Sequence, residues 1–276
     1  MSFTYQRSYR GPIKMVVLDW AGTTMDYGCY APAVVFIDVY RRKGVNISMD
    51  QARRPMGLHK REHIKAISRQ TEVADLWQKV HGRPVVEQDI DDMFADFQPL
   101  QMQCLAEYTD LIPGTLEAVA ALRKMGIIIG STTGYFTEAM ELLKLEAAKR
   151  GYVPDSSVCA TQVPAGRPEP WMVIQNMVNT GIYPPEAVVK VDDTKPGIEE
   201  GLNAGTWTIG LAKTGNEVGL NLAEVNALPS DKLATLVTKA HGELARMGSH
   251  YVVDSIVEVP NVIEDINLRL KRGERP

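Results

Sequence analysis

Met15-Val16-Val17-Leu18-Asp19-Trp20-Ala21-Gly22-Thr23-Thr24-Met25-Asp26 is the stretch that decides how the chain is read. From Ile13 to Leu18 only Lys14 interrupts an apolar run, the pattern of a strand buried on both faces of a parallel sheet. Asp19 then stands at the C-terminal end of that strand, the edge where open α/β sheets bind their ligands. Gly22 and the two threonines after it let backbone N–H groups approach an anion there. A strand that simply ends in a solvated carboxylate has the same pattern, so the other strand ends have to decide.

Outward from this stretch, composition narrows the field. The 276 residues are 45% hydrophobic, enough for one large domain or two modest ones with a real core. A net charge of −4 with no block of basic residues argues against a nucleic-acid-binding surface. Cys29, Cys104 and Cys159 are scattered and form no CxxC, which suggests neither a disulfide framework nor a zinc site and fits a reducing cytoplasm. Arg7, Arg10 and Lys14 precede the apolar run, but Asp19 cuts it too short for a signal peptide. No segment approaches the roughly 20 apolar residues of a membrane span.

Between about Ala31 and Tyr108 the periodicity is helical, with almost no strand signal. Helices are predicted over Ala31–Lys43, over Met49–Arg69 behind the capping box Ser48-x-x-Gln51, over Glu72–His81 and over Val85–Tyr108. From Ile112 onward strands and helices alternate. Strands are predicted at Gly126–Gly130, Val158–Ala160, Ala187–Val191, Thr206–Leu211 and Tyr251–Ile256. Helices fall at Pro113–Met125, Thr137–Arg150, Pro168–Thr180, Pro196–Ala204, Asp231–Met247 and Asn261–Leu270. Such alternation means right-handed βαβ units. The fold class expected is therefore α/β: a Rossmann-like parallel-sheet core from residues 1–28 and 105–276, with an α-helical cap inserted over residues 29–104.

The other strand ends supply partners for Asp19. Ser131-Thr132-Thr133-Gly134-Tyr135 follows the second strand with hydroxyl and N–H donors suited to a phosphoryl group, although the same residues also make an ordinary turn. Gly166-Arg167-Pro168 puts a guanidinium, whose fork matches phosphoryl oxygens, before a helix. Asp192 and Asp193 end the fourth strand side by side; their repulsion invites a hard cation such as Mg²⁺, and either is alternatively a cap for the helix at Pro196. In chain order these are a nucleophile, donors, a cation and a metal site, the parts for attack at phosphorus.

That order of motifs, over essentially the whole chain, resembles the haloacid dehalogenase superfamily, whose cap is often inserted after the first motif. One position departs from its phosphatases: two residues after the nucleophile they carry a second Asp as general acid, and here Ala21 stands. In the predicted cap, Lys60 and His63 share a helix face, and a lysine in a dry pocket near cations such as Arg61 becomes an amine able to form an imine. Solvated helix residues are the alternative for both. With Met56-Gly57, these strings resemble the phosphonoacetaldehyde hydrolase family, the phosphonatase branch of the superfamily.

The resemblance implies Asp19 as nucleophile, Lys60 as Schiff-base lysine, and Mg²⁺ held by Asp19, the Ala21 carbonyl and Asp193. It implies Thr133, Gly134 and Arg167 on the phosphonyl group; Cys29, Met56, His63 and Tyr135 around the pocket for proton transfer or orientation; and Asp192 behind them in place of an acid that relatives carry near Gly197. The implied reaction splits phosphonoacetaldehyde into acetaldehyde and phosphate in phosphonate (2-aminoethylphosphonate) degradation. Ala21 makes sense there, since carbon leaves into an iminium and no alkoxide needs a proton. A Mg²⁺-dependent phosphatase or phosphomutase of the same fold, and a non-catalytic phosphate-binding relative, are the competing expectations. Val34, Val35, Ile37 and Val39 serve either a cap-to-cap dimer or the cap's own core, and the resemblance favours a cytoplasmic homodimer.

Overall fold

A computed structural model describes residues 8–276, so Arg7 lies outside the described residues. β1 (Met15–Leu18) is followed by five helices: α1 (Tyr30–Arg42), α2 (Met49–Arg53), α3 (Lys60–Ser68), α4 (Thr71–His81) and α5 (Glu87–Cys104). The chain then returns through α6 (Thr115–Lys124) to β2 (Ile128–Thr133). It continues with α7 (Thr137–Lys149), β3 (Ser156–Cys159), α8 (Trp171–Thr180), β4 (Val188–Asp192), α9 (Lys195–Asn203) and β5 (Trp207–Leu211). α10 (Leu222–Ala227), α11 (Ser230–Arg246), β6 (Tyr251–Val253) and α12 (Val259–Lys271) complete it. The six strands are parallel in the order β3-β2-β1-β4-β5-β6. Connections run outward on both sides of β1, which makes the end of β1 the switch point where such sheets open a crevice.

All four β1 side chains are buried, Val16 and Leu18 toward one face and Met15 and Val17 toward the other. Each apolar side chain so buried contributes about 1.5–3 kcal/mol. A separate apolar cluster built on Phe36, Val39, Tyr40, Ile64, Ile67, Trp77, Met93 and Phe97 holds the helices α1 to α5 together. Val35 and Val39 point into it, and Val34 and Ile37 pack half-buried against it, so much of the α1 stripe is used by the cap's own core.

Three local expectations change. The helix expected over Met49–Arg69 is two: the capping box at Ser48 and Gln51 forms, but α2 ends at Arg53 and α3 starts at Lys60. Pro55 lacks the N–H that would continue the ladder, and Gly57 takes a positive φ of 94°. The break puts Lys60 in the first turn of α3 rather than mid-helix. β2 begins two residues later than expected and runs through Thr133, because Gly126 is still closing the turn after α6. α10 was not anticipated, although its capping box Asn221-x-x-Glu224 is plain in the sequence. Among the described residues no helix is long and apolar enough to cross a membrane.

Candidate active site

Strand register brings the four ends together. Leu18 pairs with Ser131 on one side and Val191 on the other, so Asp19 emerges between Thr132 and Asp192. Arg167, in the connection from β3 to α8, reaches across: its Nη2 donates to Asp19 Oδ1 at 2.6 Å and to Thr132 Oγ1 at 2.9 Å, and lies 3.2 Å from Asp192 Oδ2. Its Nε donates to Glu200 Oε2 at 3.0 Å. Among the described residues, Asp19 Oδ2 and Arg167 Nη1 are both without a hydrogen bond. Beneath them Lys190 has no accessible surface, and its Nζ donates to Thr132 Oγ1 at 2.7 Å and pairs with Asp192 Oδ2 at 2.8 Å. The Thr132 hydroxyl itself donates to Glu200 Oε2 at 3.3 Å, so it is fully used inside this network. Thr133 instead lines the cavity above, with its Oγ1 accepting from the Tyr135 N–H at 3.2 Å.

The acids around Asp19 fit a divalent cation. Asp19, Asp192 and Asp193 offer oxygens within 4.8 Å of one another. Burial pushes the Asp19 carboxyl up despite Arg167, and burial with the charges of Asp192 and Asp19 pushes Asp193 well up. Burial acts on Asp192 too, but Arg167 and Lys190 hold its carboxyl below its ordinary range. Counted as ionised, these three acids and Glu200 face Arg167 and Lys190 beneath them and Lys60 from the cap, so carboxylates still outnumber cations. An all-oxygen donor set with that excess suits Mg²⁺. Asp193 is held by the Asn216 N–H at 2.8 Å and the Thr23 hydroxyl at 3.2 Å. A Cβ on Gly22, at φ 81°, would sit 2.3 Å from Asp193 Oδ2, so only glycine lets that carboxylate approach the end of β1. Neither Asp caps α9; Thr194 does, while Asp192 Oδ1 accepts from the Thr194 N–H and hydroxyl.

The cap closes this crevice. Lys60 is 4% exposed, and its Nζ lies 4.5 Å from the centre of the Tyr135 ring. Burial lowers its pKa to about 8; Cys29 and Asp19 pull against that shift, and Arg167 adds to it. The neighbouring cation is therefore Arg167 and not Arg61, which turns outward to Asp91 and Glu87. Lys60 shares a cavity of about 20 Å³ with Asp19, Ala21, Cys29, Met56, Thr133, Gly134, Tyr135 and Arg167. Such a void has room for about one water, so a substrate enters only when the cap moves. His63 is not among the lining residues. It stacks on Phe36 at 3.8 Å behind Lys60, donates Nε2–H to the Ala52 carbonyl at 2.8 Å and leaves Nδ1 buried without a partner. Burial and Lys60 hold it neutral.

Apart from Asp19, no acid lines the cavity to replace the one missing at Ala21. Asp26, the nearest downstream, spends both oxygens capping α1 through the Tyr30 and Ala31 N–H groups at 2.9 Å, and burial pushes it up to about 7. Thr132 stood among the hydroxyls expected near the phosphoryl group but serves the buried network instead, while Lys190 and Glu200 were not singled out from the sequence. Lys190 did carry a signal, being the one charged residue in the run Val188-Val189-Lys190-Val191; Glu200 carried none.

The profile of haloacid dehalogenase-like hydrolases matches residues 13–205. The chain is 47% identical to a phosphonoacetaldehyde hydrolase-like protein of Syntrophobacter fumaroxidans over 99% of each chain. It is 44% identical to a phosphonoacetaldehyde hydrolase of Klebsiella pneumoniae subsp. pneumoniae over 96% of this chain and 99% of the other. The crystal structure of a phosphonoacetaldehyde hydrolase-like protein from Oleispira antarctica superposes with a TM-score of 0.97 at 38% identity, covering both chains fully. A hydrolase from Pseudomonas syringae, 16% identical with a TM-score of 0.68 over 92% of this chain and 99% of its own, shares the fold alone.

Proposed function

The chain belongs to the haloacid dehalogenase-like hydrolases, and within them to the phosphonoacetaldehyde hydrolase family; on that premise we propose that it hydrolyses the C–P bond of phosphonoacetaldehyde to acetaldehyde and phosphate. The observation that carries the reading is the buried cap amine, Lys60, with a pKa lowered to about 8, in one cavity with Asp19 where the usual acid position is Ala21.

The Lys60 amine adds to the aldehyde, and loss of water leaves an imine whose protonated form is an electron acceptor one carbon from the C–P bond. Asp19 Oδ2 then attacks phosphorus in line. As the O–P bond forms the C–P bond breaks, and its electron pair moves into the iminium to give an enamine. Nothing departs as an alkoxide, so the missing acid is not needed. Water hydrolyses the aspartyl-phosphate, the enamine carbon takes a proton, and hydrolysis of the imine frees acetaldehyde and Lys60. Arg167, Thr133 and the Gly134 N–H hold the phosphonyl oxygens through both displacements. Asp19, the Ala21 carbonyl and Asp193 would hold Mg²⁺, which supplies charge neutralisation at phosphorus when bound. Asp192 steadies Arg167 from behind. Cys29, Met56 and Tyr135 shape the pocket, and His63 supports the amine from beneath.

The reaction serves phosphonate breakdown, and the free thiols Cys29, Cys104 and Cys159 suit a reducing cytoplasm. A homodimer built on the cap goes with the family and is tested by light scattering. For the chemistry, borohydride added with phosphonoacetaldehyde should leave a stable adduct on Lys60 and abolish phosphate release. Labelling elsewhere, or full turnover by Lys60→Arg, would sink the scheme.

A further inference from the structure

The last residue of α2 is a buried cation the chemistry above does not use. Arg53 is 8% exposed and forms no ion pair with a carboxylate among the described residues. Its Nη1 donates to the Gly28 carbonyl at 2.5 Å, with longer contacts of 3.4 Å to the Cys29 carbonyl and Asn216 Oδ1. Its Nε and Nη2 are buried without partners, and the guanidinium lies 4.8 Å from the Tyr30 ring centre. Burying a guanidinium with two unpartnered nitrogens is costly, and such groups persist where the surroundings require them.

What Arg53 touches is informative. Gly28 and Cys29 form the turn by which the chain passes from the sheet into α1 of the cap, both with positive φ. Asn216 belongs to the loop after β5, returns the contact through its Nδ2 to the Arg53 carbonyl at 3.4 Å, and gives its backbone N–H to Asp193 Oδ2 at 2.8 Å. The same loop accepts the Gly28 N–H on the Thr214 carbonyl at 2.8 Å, and the Thr214 hydroxyl donates to the Gly22 carbonyl at 2.9 Å. One short loop thus touches the cap, the passage into the cap and a carboxylate of the acid cluster.

We infer that Arg53 and Asn216 are positioning residues that tie closure of the cap to the seating of the Asp193 carboxylate, so that cation binding and cap closure strengthen each other. The inference rests on Asp193 being a Mg²⁺ ligand. Coupling between two events on one protein is reciprocal, which makes it measurable from the cation side.

The test is calorimetric titration of Mg²⁺ into wild type, Asn216→Ala, Arg53→Met, the double variant and Asp193→Asn, each with and without saturating orthophosphate. Asn216→Ala keeps the backbone N–H to Asp193 and removes only the amide that faces the cap, so it decides the matter even if Arg53→Met does not fold. Phosphate should tighten Mg²⁺ binding to wild type, and each single variant should lose about fivefold of that tightening, the low end for coupling energies. The double variant should lose no more than either single one. Full tightening in Asn216→Ala, or none in wild type, overturns the inference while leaving the cation site intact. Equal Mg²⁺ binding by wild type and Asp193→Asn overturns the site reading, and the inference with it.

Discussion

Replacing Lys60 by methionine should make the protein more stable while removing its activity. Folding lowers the Lys60 pKa from its ordinary 10.5 to about 8, chiefly by burial. At 1.36 kcal/mol per unit, that places a charged Lys60 at a cost of about 3 kcal/mol near neutral pH. The face of Tyr135, 4.5 Å from Nζ, returns up to about 1 kcal/mol by cation–π attraction, which methionine forgoes. Lys60→Met should therefore gain about 2 kcal/mol at pH 7, a rise in midpoint of about 4–8 °C for a chain of this size.

The sign of the pH dependence follows from where each state holds its proton. Between about pH 8 and 10.5 the unfolded chain keeps a proton on Lys60 that the folded chain has released, so wild-type stability rises with pH through that window. The penalty is complete below the window and absent above it. Urea denaturation of wild type, Lys60→Met and Lys60→Arg at pH 7 and pH 9.5 reads the effect. The gap between wild type and Lys60→Met should shrink at the higher pH, whereas Lys60→Arg, which stays charged, should lag behind Lys60→Met at both. A methionine variant less stable than wild type at pH 7, or a gap indifferent to pH, refutes the reasoning.

Three further outcomes are expected. Lys190→Met leaves Asp192 and Glu200 with Arg167 as the one cation they still share, and urea denaturation should register a loss of about 3 kcal/mol. Gly197→Ala would put a methyl 1.9 Å from the Asp192 Cγ, so the carboxylate must swing off Arg167 and kcat should fall while circular dichroism stays that of wild type. Mg²⁺ at about 100 times its Kd should raise stability by about 2.7 kcal/mol by neutralising the acid cluster, and chelator should reverse the gain.

Much of this was legible because it lies in short-range pattern. A doubly buried strand announces itself by an apolar run, and whatever follows it is delivered to the ligand edge of the sheet. Asp19, the Ser131-Thr132-Thr133 run, Arg167 and the Asp192-Asp193 pair stood out without knowing which strands are neighbours, though which of the three hydroxyls faces the cavity did not. The cap was harder. Apolar spacing continues through Pro55-Met56-Gly57, so periodicity reads one helix where the chain makes two, and the direction in which Lys60 points depends on that break. His63 illustrates the same limit: sharing a helix face with Lys60 buries both, but only one of them borders the cavity.

Lys190 and Glu200 expose a different limit, since their meaning lies in a charge balance that no local window contains. A lysine inside a strand with apolar neighbours on both sides cannot remain charged unless acids meet it, which is a deduction available from sequence; which acids was not. The answer involves Gly197. Its missing side chain is the room occupied by the Asp192 carboxylate, 1.9 Å from where a Cβ would lie, and from there Asp192 reaches both Lys190 and Arg167. An acid placed at position 197 would collide with the one at 192. The absence of an acid at position 197 and the presence of one at the strand end are thus a single packing decision, and neither residue is free to change without the other.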